Sequence, residues 1–145
     1  MSLFLGMEVV QSPGRIEITQ RSYVLDVLRR FGMAECNPSS LPADPGVKFS
    51  KSDCPAEHSP ESFKMAEYHS LYRSSVGGLQ YLSVVPRPDI SFLVSNLSQF
   101  LGNPGKVHWL AAKRVLRYLK GSREARLVYS SNEFSFSVAG YSDSD

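Results

Sequence analysis

The shortages in this sequence narrow its class before any motif is read. Cysteine is scarce: Cys36 and Cys54 are the only two, they form no Cys-x-x-Cys pair, and no histidine stands at ligand spacing from them. That pattern predicts two reduced thiols in an intracellular protein rather than a disulfide scaffold or a zinc site. No apolar run reaches the ~18 residues of a membrane span. Ser2-Leu3-Phe4-Leu5 is apolar, but Gly6 and Glu8 interrupt it and no positive residue precedes it, so no secretory signal is read. The expectation is a soluble chain with no membrane partner. Excess charge is lacking too: the net charge is +2 and the pI about 8.6, so global charge does not announce a nucleic-acid binder. There is no Asp-Asp pair, no Gly-x-Ser-x-Gly elbow of a serine hydrolase, and no glycine-rich phosphate loop, since Gly77-Gly78 has no accompanying lysine. His58, His69 and His108 are too scattered to bind a metal together and are read as structural or exposed.

What is present reads as β, then α, then β. Phe4 to Val10 is apolar and β-branched at its end, Ser12-Pro13-Gly14 is a turn, and Arg15 to Thr19 alternates as a half-buried strand does. Val24, Leu25, Val27, Leu28 and Phe31 recur at helical spacing, with Thr19 or Ser22 as candidate cap and Gly32 as stop. From Asn37 to about Phe63 the chain is punctuated by Pro38, Pro42, Pro45, Pro55 and Pro60, which predicts a long exposed connector, either lining a surface or dividing two lobes. Three further helices follow. One spans about Met65 to Ser83 with Tyr68, Leu71, Tyr72, Val76, Leu79 and Leu82 on one side, and Gly77-Gly78 inside it implies a close crossing with the next helix. Another follows Pro86-Arg87-Pro88 with Asp89 as cap or first-turn acid, and a last one runs from about Lys106 to Lys120. Arg126 to Ser130 and Phe134 to Val138 read as a closing hairpin with no visible partner strand.

The last of these helices has the clearest one-sided charge. Lys106, Lys113, Arg114, Arg117 and Lys120 gather on one side, opposite Trp109, Ala112, Val115, Leu116 and Leu119. A stripe of cations is what phosphate contact needs. The same pattern also describes the ordinary solvated face of an amphipathic helix. Trp109 is read as core rather than as a stacking platform.

Four segments in series resemble copia-type LTR-retrotransposon Pol polyproteins, in the C-terminal part of the reverse transcriptase. They are Phe4-Leu5-Gly6-Met7-Glu8-Val9 with Ile18-Thr19-Gln20-Arg21-Ser22-Tyr23; Tyr72 to Leu82; Arg87-Pro88-Asp89-Ile90-Ser91-Phe92 with Leu97-Ser98-Gln99-Phe100; and His108 to Gly121. Each is weak alone, but their order and spacing fit along nearly the whole chain, faltering only in the Pro-rich connector. The resemblance implies an α+β fold in three parts: a primer-grip-like hairpin at 1–19, a thumb- and connection-like region of about four helices at 20–121 with the connector at 37–63, and the truncated start of a ribonuclease H-like sheet at 122–145. It implies that Phe4, Gly6 and Met7, with Lys113, Arg114, Arg117 and Lys120, face nucleic acid. It further implies that Asp143 is the first carboxylate of a ribonuclease H metal site.

The implied function is a fragment of an RNA-directed DNA polymerase that helps to position primer–template. Its partners would be an RNA–DNA hybrid or primer–template and the remainder of the Pol polyprotein, in the cytoplasm (inside a virus-like particle in the parent family) or the nucleus. Two-metal polymerization needs paired aspartates, and the Tyr-x-Asp-Asp of the family is missing here. The fragment is therefore expected to be inactive alone and to need no cofactor, whereas the complete parent enzyme needs Mg2+. The alternative is a stand-alone helical module from a degenerate element, binding nucleic acid or protein.

Overall fold

Four amphipathic helices bury their apolar sides against one another. In the computed structural model, which describes residues 2–131, these are α1 (Arg21–Arg30), α2 (Pro60–Val84), α3 (Ser91–Ser98) and α4 (Lys106–Gly121). Their core holds Val24, Val27 and Leu28 of α1, Tyr72, Val76, Leu79 and Leu82 of α2, Leu93, Val94 and Leu97 of α3, and Ala112, Val115, Leu116 and Leu119 of α4. Each large aliphatic side chain fully buried there contributes roughly 1.5–3 kcal/mol. Trp109 packs half-buried at the edge of this core, whereas Tyr68 and Leu71 are exposed and lie off the buried stripe of α2.

The chain also forms a four-stranded antiparallel sheet in the order β1 (Ser2–Phe4), β2 (Met7–Ser12), β3 (Arg15–Thr19), β4 (Leu127–Ser130). The fold is thus mixed α and β, as the sequence predicts. The apolar run from Phe4 to Val10 is not one strand. It folds back at Leu5 and Gly6, whose φ angles are 49° and 73°, so that Phe4 pairs with Met7. Two consecutive positive φ values make the tight hairpin turn whose twist suits flanking strands. The predicted turn at Pro13-Gly14 is present, with Ser12 opposite Arg15. Strand β4 pairs with β3, Ile18 opposite Leu127, so the strand that looked partnerless in sequence closes onto the N-terminal hairpin. The predicted strand at Phe134 to Val138 lies outside the described residues.

Three local features depart from the sequence reading. Neither Thr19 nor Ser22 caps α1 with its side chain. Instead the Glu8 carboxylate of β2 accepts from the Ser22 backbone N–H at 2.9 Å and from its hydroxyl at 2.6 Å, satisfying a free donor at the positive end of the helix from a distant strand. These hydrogen bonds hold the Glu8 carboxyl below its ordinary pKa. Helix α2 begins at Pro60, inside the stretch read as connector, because Ser59 accepts from the Ser62 N–H at 3.1 Å and a proline at the first position needs no partner. Gly78 packs on α1, where a methyl group would lie 3.6 Å from the Tyr23 hydroxyl and 3.7 Å from Val27 Cγ2; Gly77 has open space. The close crossing joins α1 to α2, not α2 to α3.

Candidate nucleic-acid interface

Helix α4 presents the cations because its other side is fixed on three counts. At its start, the buried His108 stacks on Phe100 at 4.0 Å, and its Nδ1 accepts from the Gly105 N–H at 2.8 Å. Burial lowers the pKa of that imidazole, and the nearby Asp53 opposes the shift. A side chain at Gly105 would overlap the Asp53 carbonyl oxygen, so the connector passes directly against the helix start. In its middle, Ala112, Val115 and Leu116 are fully buried. At its end, Arg87, only 3% exposed, ties the turn before α3 to the helix terminus. Its guanidinium donates to both Asp89 oxygens, at 3.0 and 2.7 Å, and to the carbonyl and hydroxyl of Ser122, at 3.2 and 2.6 Å. Tyr118 lies under the guanidinium at 5.4 Å and donates to Asp89 at 2.7 Å. Burial alone would raise the Asp89 pKa, but the bonds from Arg87 and Tyr118 outweigh it and hold the carboxyl below its usual range.

The outward side carries the predicted residues, in two states of engagement. Arg114 is gripped by Asp44 of the connector, at 2.9 Å from Nη1 and 2.8 Å from Nη2. Arg117 donates from Nε to the Asn37 carbonyl at 2.7 Å, and its own carbonyl accepts from the Ser39 N–H. These two cations fasten the connector along α4, which makes it a surface-lining segment rather than a boundary. Lys113 instead lies 5.2 Å over the Trp109 ring. With Lys106 it borders a cleft of about 330 Å³ between α2 and α4, whose other walls include Lys64, Tyr68 and Trp109. Tyr68 and Trp109 stand 6.1 Å apart with their planes tilted by 32°. The sequence does not place Lys64 or Tyr68 beside Lys113, and predicts Tyr68 only as part of an apolar side, because the pairing of α2 with α4, not spacing within one helix, brings them together.

The hairpin residues sit elsewhere. The Leu5-Gly6 turn is held by α2, whose Tyr81 hydroxyl donates to the Leu5 carbonyl, and a methyl group on Gly6 would come within 3.0 Å of that hydroxyl. Tyr81 in turn stacks edge-on against Tyr23 of α1 at 4.9 Å. Gly6 and Met7 are therefore placed through α2, and the Phe4 backbone pairs with Met7.

The chain is similar to a segment of retrovirus-related Pol polyproteins. It is 38% identical over 143 residues to that of transposon TNT 1-94 from Nicotiana tabacum, an alignment taking in 97% of this chain and 10% of the polyprotein. It is 37% identical over 142 residues to that of transposon RE1 from Arabidopsis thaliana, covering 98% of this chain and 9% of the relative. An uncharacterized mitochondrial protein of Arabidopsis thaliana is 34% identical over 142 residues, with 98% of this chain and 54% of that protein covered. This chain thus spans about a tenth of the length of the polyproteins it matches, and the similarity supports reading it as part of a transposon polyprotein. No family model and no solved structure matches it.

Among the described residues no three His, Cys, Asp or Glu side chains gather as a metal ion would require. Asp143 lies outside the described residues. No described helix is long and apolar enough to cross a membrane.

Proposed function

We propose that this chain is the part of a copia-type reverse transcriptase that follows the polymerase active site, passes through thumb and connection, and enters ribonuclease H. Its own contribution is to hold primer–template nucleic acid by the phosphate backbone. The observation that carries this reading is the row Lys106, Lys113 and Lys120 along α4, with Lys64 facing Lys113 across the α2–α4 cleft. Seven residues of helix rise by about 10.5 Å, close to three steps of one nucleic-acid strand at about 3.4 Å each. Such contacts position a duplex and carry little sequence information. The Leu5-Gly6 turn, fixed by Tyr81, supplies a second element for primer positioning.

Arg114 and Arg117 already have partners in the connector, so Lys113 and Lys120 are the informative residues to change. Binding of a labelled RNA–DNA hybrid, followed by anisotropy across a salt series, tests the reading. The double variant Lys113→Glu, Lys120→Glu is expected to lose at least tenfold in affinity. It should also flatten the log–log salt dependence by roughly 2, since each lost phosphate contact removes about 0.9 from the slope. Unchanged affinity and slope would reject it. A second reading, a stand-alone module, is favoured by the mitochondrial relative, of which this chain covers 54% rather than a tenth. A reading frame upstream encoding Tyr-x-Asp-Asp would decide for the polyprotein.

A further inference from the structure

We propose that the connector is an internal competitor for the cationic face of α4: Asp44 occupies Arg114 as a phosphate would, and nucleic acid gains that arginine only by displacing the carboxylate. The inference rests on the proposed nucleic-acid reading and adds its regulation. A guanidinium presents the same two-pronged fork to a carboxylate and to a phosphate. Asp44 takes the two outer nitrogens, at 2.9 and 2.8 Å. The buried Nε of Arg114 has no partner, so the pair does not exhaust the donors of the arginine. The Asp44 side chain is 60% exposed against 30% for Arg114. A polyanion arriving from solvent therefore meets the carboxylate as well as the cation it covers.

The segment that carries Asp44 is suited to being displaced. Pro38, Pro42 and Pro45 keep it out of helix and sheet, so no ladder of backbone bonds must break. A largely apolar groove of about 410 Å³ opens beside it, bordered by Met33, Ala43, Val47, Leu93 and Leu110 as well as Arg114; Ala43 and Phe49 rest against the helical core, so what must be released is the Asp44 side chain and not the whole segment. The flanking anchor, Arg117 to the Asn37 carbonyl with Ser39 N–H returning to the Arg117 carbonyl, lies five to seven positions before Asp44 in the chain. It would keep the connector attached while Asp44 lets go. A half-exposed ion pair is a weak latch, which a line of phosphates can replace.

The experiment is hybrid binding by the whole chain at low salt, with Asp44→Asn compared against Asp26→Asn. The second variant removes the same charge from an exposed arginine pair, Asp26 with Arg29 on α1, and so measures the general effect of charge. Asp44→Asn is expected to tighten binding about three- to fivefold more than Asp26→Asn does, the range a weak competing pair implies. In an Arg114→Gln background that extra gain should vanish. Equal gains from the two asparagine variants, or a gain that survives Arg114→Gln, would overturn the inference while leaving the proposed function standing. No binding by the parent or any variant would overturn both.

Discussion

Two arginines of this molecule each hold an aspartate, and they do opposite things. Arg87 is 3% exposed and spends its donors on Asp89 and on the carbonyl and hydroxyl of Ser122, locking the turn before α3 to the end of α4. Arg114 grips Asp44 in a fork of similar lengths, but Asp44 is 60% exposed and the connector that carries it borders an open groove. Bond lengths do not separate the two; burial and the number of satisfied donors do. Water hardly reaches the Arg87 guanidinium, although Asp89 is 38% exposed, whereas it reaches both members of the second pair. One side of α4 is thus built into the fold, and the other is held by contacts a ligand can exchange.

The largest expected effect tests that contrast on stability. Arg87→Ala should cost about 2–3 kcal/mol, because it empties the place of a 3% exposed side chain and removes its charged hydrogen bonds to Ser122 and Asp89, although Asp89, itself 38% exposed, keeps its bond from Tyr118. Arg114→Ala should cost under about 1 kcal/mol, as exposed pairs do. Denaturant unfolding of the two variants beside the parent is the measurement. Losses of equal size would mean that the connector is as much a part of the core as the Arg87 knot.

The neighbouring glycines of α2 repeat the comparison within two residues. Gly78 faces Tyr23 and Val27 across the α1 crossing, while Gly77 meets open space. Gly78→Leu is expected to destabilise by about 1–3 kcal/mol through overpacking. Gly77→Ala should stabilise by up to about 1 kcal/mol, since an exposed mid-helix glycine carries only its backbone cost. Opposite signs in thermal unfolding support the assigned crossing. Two losses would place both glycines in contact.

How much of this was legible in the sequence follows from the range of each interaction. The hairpin turn at Pro13-Gly14, the apolar stripes of α1 and α4, and the gathering of cations on one side of α4 depend on neighbours within a few positions, and they are as the sequence predicts. The α2 stripe is narrower than the sequence predicts, since Tyr68 and Leu71 fall at helical spacing but lie exposed to the side of the buried Met65, Tyr72 and Val76. The start of α2 was written locally, in Ser59-Pro60, yet a run of prolines hid it. What could not be read joins distant positions: Glu8 capping α1, β4 pairing with β3, Asp44 on Arg114, and Lys64 opposite Lys113. No pattern in one helix shows that a cation is already occupied. For that reason Arg114, Arg117, Lys113 and Lys120 looked equivalent in sequence and are not equivalent in the fold.

The smallest effect expected is a pH dependence in two steps, and it divides a buried imidazole from hydrogen-bonded carboxylates. Burial depresses the pKa of His108 in the fold, and protonating Nδ1 would also set it against the Gly105 N–H that it now accepts. The unfolded chain then binds a proton that the fold resists, so stability is fully present above the unfolded histidine value near 6.5 and declines as pH falls through it. Glu8 and Asp89 are depressed as well, by bonds from Ser22 in one case and from Arg87 and Tyr118 in the other. Their contribution is present above the unfolded carboxylate values near 4 and is lost below them, as pH falls through the folded values. Unfolding midpoints measured from pH 8 to pH 3 should show a shallow decline starting near 6.5 and a steeper one under about 4. His108→Gln should remove the first step and keep the second, whatever its overall stability, and Glu8→Gln with Asp89→Asn should weaken the second and keep the first. A single acid transition that neither change alters would show that these buried contacts do not set the response to acid.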